Sequence, residues 1–99
     1  MLWSGAGRGS KIDLSFEYPI ADKKNMTITF TGYETAGTYA VSLNGKRLKT
    51  VNLRRDVKEA FPVTFNGVSL KKGDNVLSLV CVQAGKNGST MGIDKIEFN

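Results

Sequence analysis

Tyr39-Ala40-Val41-Ser42-Leu43-Asn44-Gly45-Lys46-Arg47-Leu48-Lys49-Thr50-Val51-Asn52-Leu53 is the stretch on which the fold turns. Tyr39, Val41 and Leu43 alternate with smaller residues, which is the period of a half-buried strand. Asn44-Gly45 follows at once. A two-residue type I′ turn needs positive φ at both central positions, and Asn and Gly tolerate it best. The chain is therefore expected to fold straight back through Leu48 and Val51 to Leu53, making a tight β-hairpin.

Outward from this hairpin the same grammar repeats. Ile12, Leu14, Phe16 and Tyr18 alternate with polar residues until Pro19 ends the run. Met26, Ile28 and Phe30 alternate with Thr27, Thr29 and Thr31, a pattern rich in β-branched side chains. On the other side, a loop runs from Arg54 to Ala60, the one place where a helical turn would fit. A strand starts near Pro62, carries Val63 and Phe65, and bulges or turns at Asn66-Gly67 before Val68 and Leu70. Lys72-Gly73-Asp74 reads as a turn. The run from Asn75 to Gln83 is so apolar that a central strand covered on both faces is expected. A polar loop from Ala84 to Thr90 leads to a last strand ending at Phe98. Seven or eight short strands with frequent turns and no helical period predict an all-β antiparallel sandwich or barrel, one domain over residues 1–99.

In the last strand Asp94, Ile96 and Phe98 share one face by the period-2 rule. If the two apolar residues point inward, Asp94 does too, and a buried carboxylate requires compensation. Hydrogen bonds from loop N–H groups at the sandwich rim supply it in one reading, a calcium ion in the other.

Composition removes whole classes of chemistry. The 99 residues include no histidine and one cysteine, so no Ser-His-Asp or Cys-His arrangement and no Cys or His zinc site can be built. Cys81 lies in the apolar run Val76–Val82 and reads as a small buried hydrophobe. Acidic residues such as Asp13, Glu17, Glu34, Asp56 and Glu59 show no spacing that sets two across a cleft for glycoside hydrolysis. The chain is expected not to be an enzyme. No run approaches the roughly 18 apolar residues of a membrane span. The net charge of +5 is spread over Lys23-Lys24, Lys46-Arg47, Lys49, Arg54-Arg55 and Lys71-Lys72, without the motif of a nucleic-acid reader. Met1-Leu2-Trp3 passes directly into polar sequence with no signal peptide, which reads as a domain cut from a longer protein.

Leu2-Trp3-Ser4-Gly5-Ala6 with Gly9-Ser10-Lys11-Ile12-Asp13-Leu14 resembles the opening of a galactose-binding-like jelly-roll domain of the kind appended to bacterial glycoside hydrolases. The hairpin at Gly37–Lys46, the stretch Val68–Leu77 and the closing Gly92-Ile93-Asp94-Lys95-Ile96-Glu97-Phe98 are similar to that family as well. The resemblance implies a non-catalytic, carbohydrate-binding-module-like accessory domain, secreted or otherwise extracytoplasmic. Its partners would be a polysaccharide or oligosaccharide and the neighbouring domains of the parent protein, with neither nucleic acid nor membrane. Some members carry a structural calcium, others are spacers that only pack against a catalytic domain; no cofactor is expected here. Where members carry two adjacent aromatics near the start, this chain has Trp3-Ser4, which implies a smaller stacking platform.

A sugar site needs an exposed ring for the C–H face of a pyranose and a few polar groups in a concavity. Trp3, set outside the regular strands, either stacks on sugar or packs over the open end of the sandwich. Tyr33, in the loop from Gly32 to Gly37, either meets ligand or packs its loop. Arg54 and Arg55 open the longest loop, and Asn87 offers a donor and an acceptor in Gly-Lys-Asn-Gly-Ser. Trp3, Tyr33, Arg54, Arg55 and Asn87 are the candidate carbohydrate contacts, weighed against a solvated loop surface.

Overall fold

The computed structural model describes the backbone of residues 2–84 and 89–99 and the side chains of residues 7–84 and 91–99. Eight strands follow in order: β1 Leu2–Ala6, β2 Lys11–Tyr18, β3 Asp22–Gly32, β4 Thr38–Leu43, β5 Lys46–Asn52, β6 Glu59–Leu70, β7 Gly73–Gln83 and β8 Ser89–Phe98. They form two four-stranded antiparallel sheets, ordered β1-β8-β3-β6 and β2-β7-β4-β5. Consecutive strands lie in opposite sheets except β4 and β5, which pair as the expected hairpin. Asn44 and Gly45 both take positive φ, 51° and 82°, as a type I′ turn requires.

The core is built from the inward half of each alternating run. Met26, Ile28 and Phe30 of β3 and Phe65 of β6 face Tyr39, Val41, Leu77, Leu79 and Cys81 of the second sheet, all buried. Burial pushes the Cys81 thiol pKa up, against smaller opposing hydrogen bonds from the Gln83 backbone and the Tyr39 side chain. At the hairpin end a fully buried amide completes the packing. The Asn75 Oδ1 accepts from Asn44 Nδ2 and the Lys71 backbone N–H, both at 2.9 Å. Its Nδ2 donates to the carbonyls of Lys71 and Gly73 at 2.9 and 3.1 Å. The Asn44 side chain in turn accepts from the Val76 N–H at 2.8 Å, so the turn is tied to β7.

Of the two readings of Asn66-Gly67 the bulge holds: β6 runs from Glu59 to Leu70, and the two residues bulge opposite Asn25, whose Oδ1 accepts from the Gly67 N–H. Other expectations change. Residues 54–58 hold no helical turn. The turn expected at Lys72-Gly73-Asp74 is shorter, because β7 already begins at Gly73. β7 has neighbours on both edges, yet only one face is buried; Val76, Val80 and Val82 sit half-exposed on the other. Its valines satisfy the outward positions of a pleat as readily as the inward ones, so apolarity alone overstated the cover.

Asp94 is exposed rather than inward. Phe30 pairs with Ile93 and Thr29 with Lys95, so β8 carries an extra residue at Asp94. The bulge resets the period: Ile93 is buried and Ile96 and Phe98 pack against the core, while the carboxylate turns outward. Both carboxylate oxygens accept from the Thr31 hydroxyl at 3.1 Å.

Candidate functional site

One end of the sandwich, here the loop end, gathers the segments that follow β3, β5 and β7. β3 rises to Gly32, and β4 begins at Thr38, paired with Asn52 of β5 and Gln83 of β7. Between them Tyr33 bridges Arg54 in a short parallel contact. The Tyr33 carbonyl accepts from the N–H groups of Ala36 and Arg55 at 3.0 and 3.1 Å, fixing both loops to each other. The loop is pressed tightly against its neighbours. A Cβ on Gly37 would collide with the Gln83 carbonyl, so only glycine lets the two backbones approach.

The two arginines play different parts. Arg55 lies 3.8 Å over the Phe61 ring, pairs with Glu59 at 3.4 Å, and donates to the carbonyls of Asn52 and Arg54 at 3.3 and 2.7 Å. Its fork is occupied by the protein and braces the loop. Arg54 donates its backbone N–H to Asn52 Oδ1, and its exposed side chain forms no hydrogen bond, ion pair or ring contact among the described residues. Tyr33 is half-buried, one part of its ring packed on the core, with the Lys58 ammonium 5.9 Å from its centroid.

Arg54 lines a cavity of about 140 Å³ with Thr38, Asn52, Gln83 and Gly37 among its walls. That is below the roughly 300 Å³ of drug-sized ligand sites, room for part of a ring rather than a whole oligomer. Thr38, Asn52 and Gln83 escaped the sequence reading, because polar residues at strand ends carry no local signal until topology brings them together.

Trp3 is not outside the strands: it lies in β1, paired with Met91, and its side chain falls outside the described ones. Asn87 lies outside the described residues. The structure thus brings Tyr33, Arg54 and Arg55 together at one end. Calcium takes about six to eight oxygen ligands. Among the described residues no group of three or more His, Cys, Asp or Glu side chains is placed to hold a metal ion, so the described part of this end supplies no acidic cluster for one.

No family model matches the sequence, and no curated protein matches it. Solved structures match in shape. A family 35 carbohydrate-binding module from an environmental isolate gives a TM-score of 0.67 at 24% identity, over 96% of this chain and 68% of that one. A CBM36 carbohydrate-binding module solved with calcium and xylotriose gives a TM-score of 0.64 at 13% identity, over 97% of this chain and 78% of that one. A Podospora anserina GH26-CBM35 beta-(1,4)-mannanase gives a TM-score of 0.67 at 21% identity; the match takes in 94% of this chain and only 20% of that one. In fold, the chain is a jelly-roll β-sandwich of the kind on which these carbohydrate-binding modules are built.

Proposed function

We propose that this domain is a non-catalytic accessory module that binds carbohydrate at its loop end, tethered to a glycoside hydrolase outside the cytoplasm. The observation that carries the reading is the meeting of Tyr33 with an exposed Arg54 beside a small cavity that Thr38, Asn52 and Gln83 help to line, on a fold shared with carbohydrate-binding modules. Tyr33 supplies the apolar face for a pyranose, and Lys58, a flexible cation at the edge of cation–π range, swings aside for it. The Arg54 fork and the carboxamides of Asn52 and Gln83 take hydroxyls. Arg55 acts through Arg54 and Tyr33 by holding their loop. Trp3 and Asn87 belong to the same proposal as further contacts. Such a module contributes effective concentration of its enzyme at a polymer rather than chemistry.

A few exposed bonds and one stacked ring give modest affinity, a Kd of roughly 10 μM to 1 mM. The test is affinity electrophoresis of the domain through gels cast with xylan, mannan, galactan and cellulose derivatives. At least one polymer should retard the wild type, and Tyr33→Ala and Arg54→Ala should each remove that retardation, Arg54→Ala with an unchanged melting temperature and Tyr33→Ala, which also loses core packing, with a lower one but a folded circular-dichroism spectrum. Equal migration in every gel, or retardation that survives both substitutions, overturns the reading.

A further inference from the structure

β5 and β6 are each one of the two edge strands of their sheet, and they lie on the same side of the sandwich. Between them run two adjoining cavities of about 220 and 410 Å³, both lined by Lys46, Leu48, Gly67 and Val68. Lys71 closes one and Arg47 and Lys49 the other, and no Asp or Glu lines either. Four exposed cations therefore face one continuous groove, and none forms an ion pair with a described carboxylate. Lys49 fixes the groove's geometry: its ammonium donates to the Thr64 carbonyl at 3.0 Å and lies 4.9 Å over the Phe65 ring, tying the two edges together. The Asn66-Gly67 bulge, with Gly67 at φ 63°, leaves the wall open beside it.

Lysines on edge strands guard against strand-to-strand aggregation. That role accounts for cations along β5. It leaves unexplained Lys71, which follows β6, and the cavity into which both sets point. We propose that this groove is a second glycan site, distinct from the loop end, that takes an acidic polysaccharide through its carboxylate or sulfate groups. The groove's makeup favours a sugar polymer over a nucleic acid. Single strands bind on stacked aromatic rings over a basic groove, and the one ring here, Phe65, is 2% exposed. Half-buried Leu48 instead offers an aliphatic patch to a sugar C–H face, with cations around it for the anionic groups.

The test is a titration of the ¹⁵N-labelled domain with heparin, polygalacturonate, neutral dextran and a single-stranded oligonucleotide. Heparin or polygalacturonate should shift the amides of residues 46–49 and 66–71 and dextran should not. Binding of polygalacturonate assigns the carboxylate; binding of heparin alone assigns sulfate. The Lys46→Glu/Lys71→Glu variant should bind at least about ten-fold more weakly, and the charge-matched Lys11→Glu/Lys95→Glu variant should bind as the wild type does. A melting temperature shared by both variants shows that they fold. Equal losses in the two variants reduce the effect to net charge and overturn the proposal. So does the absence of shifts in the groove, or an oligonucleotide that binds it as tightly as the glycans. Loss of Tyr33 leaves this binding intact, so the outcome is separable from that at the loop end.

Discussion

Removing the Asn75 carboxamide tests how this small sandwich is closed at its hairpin end. The side chain is fully buried and all four of its hydrogen-bonding positions are filled, two accepting and two donating. Asn75→Ala deletes four bonds and orphans Asn44 Nδ2, the Lys71 N–H and two carbonyls. At about 0.5–1.5 kcal/mol net for each bond, with water recovering part of the loss at exposed Lys71, the cost is about 2–4 kcal/mol. A domain of this size loses about 4–8 °C per kcal/mol, so the melting temperature should fall by about 10–25 °C. Asn75→Asp keeps both acceptors but turns an oxygen toward the carbonyls of Lys71 and Gly73. It should be worse than alanine at pH 7 and recover in acid, where the protonated carboxyl regains one donor. Urea unfolding followed by circular dichroism measures both. An alanine variant within about 0.5 kcal/mol of wild type, or an aspartate variant as stable as wild type at pH 7, would refute this account of the network.

Other substitutions probe separate elements. Gly45→Val should cost about 1 kcal/mol or more, because a β-branched residue resists the φ of 82° held there; a neutral result in the same urea assay contradicts the turn. Asp94→Ala should cost up to about 1 kcal/mol by leaving the Thr31 hydroxyl, 7% exposed, without its acceptor, and Thr31→Val combined with it should add little. Burial raises the Cys81 pKa, so the folded state holds that proton more tightly than the unfolded chain. Its contribution is whole below the unfolded thiol pKa of about 8.5 and is lost as pH rises through the folded value; Cys81→Ala should flatten that alkaline fall in stability. Chelation with EDTA is expected to leave the melting temperature of the domain unchanged; a fall on chelation would show that a cation helps to hold the fold.

What was legible in the sequence was local. Asn44-Gly45 carries its conformation in its own backbone preferences, and the alternation from Ile12 to Tyr18 states which side of β2 faces the core. Asp94 was misread because the period-2 rule assumes an unbroken ladder, and the extra residue in β8 is visible only from its pairing with Thr29 and Phe30. The candidate site was legible in part. Tyr33, Arg54 and Arg55 are singled out by residue type in loops, but their meeting depends on β3 and β5 lying in different sheets and ending at one level. Nothing local distinguishes the braced Arg55 from the exposed Arg54; Phe61 and Glu59, which hold the first, become its neighbours only through the turn into β6. The basic groove failed for the same reason. Lys46, Arg47 and Lys49 are separated from Lys71 by more than twenty residues, and a charge that looks dispersed along the chain is concentrated by the facing sheet edges.

The central claim is that the loop end is a carbohydrate site. Amide chemical-shift mapping of the ¹⁵N-labelled domain against neutral oligosaccharides cut from the polymer that retards it tests this most directly. The account predicts saturable shifts confined to residues 33–38, 52–58 and 83–84, lost in Arg54→Ala while the rest of the spectrum is retained. Shifts centred on any other face of the sandwich, or a spectrum unmoved at millimolar oligosaccharide, would contradict it.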